Sequence, residues 1–161
     1  MRKIQIRTFF IMLLSGLILA GTSCSKDEDE KTNKDLLTGK DWKMTALTVN
    51  PAVVIEGISF SDFYAFLPAC TQDDLTKFNS DGTVNFDEGA TKCDSGDPQT
   101  TYGTWSFNAD QTVLSVTADG LTEAYTISEL TETSLKFSYT MVDDLGEGIK
   151  TYTLAVIFTK Q

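Results

Sequence analysis

The chain has 161 residues, room for one domain. Its formal net charge is −10 and it has no His; nucleic-acid binding, which needs a basic face, and His-based catalysis or haem ligation are excluded. The first 23 residues differ in kind from the rest. Arg2, Lys3 and Arg7 make a positive start, Phe9 to Ala20 is a mostly apolar run, and Gly21, Thr22 and Ser23 follow before Cys24. This is the three-part layout of a secretory signal. The apolar run has 12 residues, too few for the roughly 20 of a membrane-spanning helix, so residues 1–23 are expected to be cleaved.

Small residues running into Cys24 resemble the lipobox of bacterial lipoproteins. The resemblance implies that the Cys24 thiol is diacylated, the signal is cut before it and the new amine is acylated, which anchors the protein firmly to a membrane. Residues 24–38 then read as the lipidated Cys and a solvated acidic tether, beginning Ser25-Lys26-Asp27-Glu28-Asp29-Glu30. An acidic cluster just behind the Cys also resembles the surface-export signal of outer-membrane lipoproteins in some Gram-negative bacteria. The expectation is an outer-membrane protein displayed at the cell surface, with the periplasmic face as the alternative. Removing Arg2, Lys3 and Arg7 takes the formal charge to −13, and no Arg remains after Arg7. Such a balance favours solubility and repels anionic partners.

From Asp41 the pattern turns to short period-two runs rich in Thr, Val, Tyr and Phe, which is strand language. Eight strands are predicted: Trp42–Val49, Asp74–Asn79, Thr83–Asp87, Thr101–Phe107, Val113–Thr117, Glu123–Leu130, Ser134–Met141 and Thr151–Thr159. Five of the links are short: Asn79-Ser80-Asp81-Gly82, Asn108-Ala109-Asp110-Gln111, Asp119-Gly120, Thr131-Glu132-Thr133 and residues 143–148. Links of this length make antiparallel hairpins and cannot carry parallel crossovers, so each strand is expected to pair with the next. Leu135, Phe137, Tyr139 and Met141 share one face of their strand, and Tyr152, Leu154, Val156 and Phe158 share one face of the last, as a barrel with a dry interior requires. Pro51 to Ala69 is too apolar for a solvated loop. Phe60, Phe63, Tyr64 and Leu67 recur at helical spacing, which predicts a short helix or folded flap at one end of the barrel.

Once Cys24 is set aside, Cys70 and Cys93 form an even pair in an exported chain and read as a disulfide. Zinc would need further ligands that no His supplies, and a Cys nucleophile would lack its usual base.

Eight meandering strands, Leu37-Thr38-Gly39-Lys40-Asp41-Trp42 at the barrel start, Asp74 to Thr83 in the first hairpin and Tyr102-Gly103-Thr104-Trp105 in the fourth strand together resemble bacterial lipocalin-like domains of lipoproteins, over about residues 38 to 160. The resemblance implies an all-β, eight-stranded up-and-down antiparallel barrel at residues 39–161. It also implies a late-strand Arg over the first Trp; the domain has no Arg, and Lys160 could take that role only loosely. Asn79, Asp81 and Glu88 fall at calcium-loop positions, but Lys77 stands where the first Asp should, so no metal and no cofactor is expected. The acids cluster at turns, where solvation explains them, and no enzyme activity is expected. The candidate ligand contacts are the strand aromatics Trp42, Tyr102, Trp105, Tyr125, Phe137, Tyr139 and Tyr152. The function expected is a monomeric, membrane-anchored binding module for a small apolar or amphipathic molecule; the alternative is a filled barrel whose loops contact protein or glycan. The short mature domain leans the expectation toward a packed or narrow interior.

Overall fold

The computed structural model describes residues 31–144 and 148–161; the expected signal at residues 1–23, Cys24 and the acidic stretch up to Glu30 lie outside the described residues. Residues 31–161 form one compact unit. Its elements are helix α1 (Asn33–Leu37), strands β1 (Asp41–Ile55) and β2 (Ile58–Asp62), a 3-10 turn (Tyr64–Phe66), helix α2 (Ala69–Gln72), and strands β3 (Leu75–Phe78), β4 (Thr83–Asp87), β5 (Thr100–Phe107), β6 (Val113–Ala118), β7 (Leu121–Leu130), β8 (Ser134–Asp144) and β9 (Ile149–Lys160).

Every strand pair is antiparallel. The order runs β2-β1-β3-β4-β5-β6-β7-β8-β9, and β1 also pairs with β9. That last pairing, from Trp42 opposite Lys160 to Asn50 opposite Thr153, closes an eight-stranded barrel of β1 and β3–β9 and removes its free edges. The turns behave as their residues dictate. Asp119 and Gly120 both take positive φ, 50° and 77°, the primed geometry that matches strand twist, and join Ala118 to Leu121 directly. Asp81 accepts from the Thr83 N–H at 2.9 Å and its hydroxyl at 2.7 Å, while Asn79 donates to Thr83 and Asn85. Asn79 and Asp81, two of the groups with calcium-loop spacing, thus close the β3–β4 turn.

Three features differ from the sequence reading. The first strand does not stop at Val49 but continues to Ile55 and folds back as β2 through Glu56-Gly57, so much of the expected flap is a hairpin. Glu56 and Gly57 both have positive φ. Phe60 lies on that strand, and the short helical segment expected before the second predicted strand is present at Tyr64–Phe66 and Ala69–Gln72. The expected tether also ends early. Thr32 caps α1 through a reciprocal capping box with Asp35, and Leu37 is fully buried. Finally, Lys40 rather than Lys160 covers the first Trp, its Nζ lying 5.5 Å from the Trp42 ring centre. Burial, and then the charge of Lys160, lowers the pKa of Lys40.

The register gives the barrel two unlike ends. At one end α1, the turns at 79–82, 108–112 and 131–133 and the C-terminus gather around Trp42. Its indole Nε1 donates to the Leu37 carbonyl at 2.8 Å in a fully buried bond, Gly39 N–H donates to Phe78 O at 3.4 Å, Lys160 N–H to Thr133 O at 3.1 Å and Gln161 N–H to Asp41 O at 3.0 Å. Leu37 and Trp42 plug this end. The other end carries the β1–β2 hairpin, α2, the loop at 88–99, the Asp119–Gly120 turn and the β8–β9 connection.

Candidate functional site

Alternation along each strand sends one set of side chains inward. The inner face at the plugged end is packed: Trp42, Phe78, Val84, Trp105, Leu114, Leu135, Phe137 and Val156 form one buried cluster. Trp105 donates its indole N–H to Asn79 O at 3.0 Å and meets Phe78 and Phe107 edge-on, with ring centres 5.9 and 5.3 Å away. Nearer the β1–β2 hairpin, Val49, Val53, Tyr152 and Leu154 form a second buried cluster.

Between the plug and the far end the packing opens. A cavity of about 290 Å³ has walls of Phe78, Phe86, Leu114, Val116, Phe137 and Phe158, with Thr76, Ala118 and Tyr125 beside them and Asp119, Leu121 and Glu123 at its rim. Leu121 is 73% exposed, which places the mouth beside the β6–β7 turn. The volume sits at the low end of the roughly 300–1,000 Å³ of small-molecule sites, so the interior is narrow but not filled. A second cavity of about 260 Å³ adjoins it across Thr76, Phe86 and Phe158, and is lined further by Met44, Asp74 and Glu88.

The acids of this end are held in place. The Cys70–Cys93 disulfide, with 5.2 Å between its Cα atoms, ties α2 to the 88–99 loop. Ala90 N–H donates to the Asp73 carboxylate at 3.1 Å, and Gly89, at φ +64°, comes so near that a Cβ there would meet Asp73 O at 2.2 Å. Asp74 follows directly, and its Oδ1 is buried without a hydrogen-bond partner among the described residues. Burial first, then the charges of Glu88, Asp73 and Asp87, push the Asp74 carboxyl up to about 6. At the other rim Tyr125 donates its hydroxyl to Glu123; burial, then that bond, raises its pKa. Burial likewise raises Tyr139.

The structure divides the expected ligand contacts. Tyr125 and Phe137 line the main cavity, and Tyr139 packs edge-on against Tyr125 with ring centres 5.6 Å apart. Trp42 and Trp105 belong to the packed cluster at the plugged end, and Tyr152 is fully buried in the second cluster. Tyr102 points the other way: it is 70% exposed and borders an outer groove with Lys77 and Asn85. Tyr102 and Trp105 therefore cannot share a ligand, because residues three apart on a strand face opposite sides. The sequence reading missed Phe86, Val116, Ala118 and Phe158 as walls. Their inward positions on β4, β6 and β9 were the available signal.

The lipocalin-like domain model matches residues 37–137, more than half of the chain. The chain belongs to the lipocalin-like domain family. No curated protein matches it. Among solved structures, this lipocalin-like domain resembles the complex of bovine odorant-binding protein with undecanal, at 19% identity and TM-score 0.42 over 84% of this chain and 77% of that one. It also resembles the odorant-binding protein from bovine nasal mucosa, at 20% identity and TM-score 0.41 over the same shares.

Proposed function

We propose that this lipocalin-like domain is a non-enzymatic binding module that takes one small apolar or amphipathic molecule into its barrel, and that the chain is exported and lipid-anchored at Cys24. The observation that carries the binding reading is the Phe-walled cavity, open beside Asp119 and Leu121 and closed at the other end by Leu37 and Trp42. An apolar wall supplies affinity by removing ligand surface from water. The outer-membrane location, facing the cell surface, is part of the same proposal, supported by the lipobox-like approach to Cys24 and the acidic residues behind it.

Native mass spectrometry of the purified protein, together with displacement of an apolar fluorescent dye by decanol, tests the binding reading. A co-purifying small molecule or saturable displacement supports it, and a clean protein mass with no dye binding overturns it. Cys24→Ala is expected to release the protein from membranes; retention there would overturn the anchor. A second reading, an interaction module that contacts protein or glycan through its loops, draws on the exposure of Ile58 (60%) on β2 and Phe66 (64%) in the 3-10 turn. Pull-down of a specific partner by a ligand-free barrel would favour it.

A further inference from the structure

We propose that the ligand is cationic: an alkylamine-like amphiphile whose tail lies in the Phe-walled cavity and whose ammonium group meets Asp74 and Glu88 in the cavity that adjoins it across Thr76, Phe86 and Phe158. This rests on the binding reading above and names its ligand class. At about 30 Å³ for a water-sized group, the main cavity of about 290 Å³ takes roughly ten non-hydrogen atoms.

Every charged group lining the two cavities is an acid. Asp119 and Glu123 stand at the main cavity, and Asp74, Asp87 and Glu88 at its neighbour; no Lys is among the described residues lining either. The described residues contain no Arg and no His. Three of these acids already accept hydrogen bonds. Asp87 takes Thr100, Gln99 and the Gly89 N–H, Glu123 takes the Tyr125 hydroxyl, and Glu88 takes the Cys93 N–H at 3.3 Å. Asp74 Oδ1 is buried and takes none from the described residues, although its segment is fixed by the Gly89 approach, the Ala90 bond and the disulfide. A buried carboxylate oxygen without a donor is costly. An ammonium group brings three donors and a positive charge, and so satisfies Asp74 while relieving its repulsion with Glu88. An alcohol brings a single donor and no charge. A carboxylate head brings no donor and adds repulsion. Burial first, then the charges of Glu88, Asp73 and Asp87, raise the Asp74 pKa, and a cation placed there would relieve that repulsion.

Isothermal titration of the full chain with decylamine, decanol and decanoate, at about pH 7 where the amine is protonated and the acid ionised, tests this. Decylamine is expected to bind roughly tenfold tighter than decanoate, with decanol between them. Asp74→Asn and Glu88→Gln are each expected to cut the amine-to-alcohol affinity ratio by roughly threefold. Decanoate binding as tightly as decylamine, or a ratio unchanged in both variants, would overturn the charge assignment while leaving an apolar binding site standing. Failure of all three compounds to bind would overturn the binding reading itself.

Discussion

Replacing Trp42 by Phe removes the indole N–H that satisfies the Leu37 carbonyl and shortens the side chain that plugs the barrel. Trp42 and Leu37 are both fully buried, and their bond is 2.8 Å long. An orphaned buried carbonyl costs about 1–3 kcal/mol. The smaller ring leaves a void of a few tens of Å³, which at about 24 cal/mol per Å³ adds roughly 1 kcal/mol. The expected loss is therefore about 2–4 kcal/mol, a large share of the roughly 5–15 kcal/mol that holds a domain together. Trp105→Phe is the internal control. It breaks a 3.0 Å bond to Asn79 O at a part-buried site, where water can reach the freed carbonyl, and should cost about 1 kcal/mol less. Urea unfolding of the two variants and the parent, followed by circular dichroism, reads the difference. A loss below about 1 kcal/mol for Trp42→Phe, or equal losses for both, would refute the idea that the α1–Trp42 plug closes the barrel.

Breaking the bridge with Cys70→Ser and Cys93→Ser should lower stability by about 3 kcal/mol through loop entropy, and reductant should lower the parent's melting temperature but not the variant's. Gly103→Ala should cost about 1–3 kcal/mol, because the new Cβ would sit 2.4 Å from the Thr117 carbonyl and 3.2 Å from Val84; an unchanged urea midpoint would show that β5 and β6 can separate there. The Asp74 carboxyl is raised to about 6, so the fold favours its neutral form. Its contribution is present below the ordinary carboxyl range near 4 and is lost as pH climbs through about 6. Asp74→Asn should therefore match the parent in acid and be the more stable protein at neutral pH. Parallel urea midpoints at both pH values would contradict that sign.

Strand order was legible because local chemistry and barrel closure agree. Asp119-Gly120 can hardly do anything but turn, and the alternation Leu135, Phe137, Tyr139 predicts which face of β8 is dry; the structure buries Leu135 and Phe137. The Cys70–Cys93 bond was equally readable, since setting Cys24 aside leaves two cysteines and one pairing. The β1–β2 hairpin was not. Phe60, Phe63, Tyr64 and Leu67 are spaced for a helix and hid the two-residue turn at Glu56-Gly57. Leu37 was lost in a polar stretch whose capping box, Thr32 with Asp35, was the overlooked signal. The cavity was illegible for another reason. Whether inward Phe86, Val116 and Phe158 meet or leave space depends on barrel shape, which no residue states alone. Asp74 likewise gains its setting only when α2 is tied to the loop after β4.

The most direct test of a ligand-holding interior is to fill it. Val116→Phe places a larger ring against Phe78, Phe137 and Phe158 in the main cavity. Decanol titration of this variant, with its melting temperature measured alongside, is predicted to show binding weakened by roughly tenfold or more with no loss of thermal stability. Undiminished decanol binding in a folded variant would mean that the ligand lies elsewhere and that the cavity is not the site.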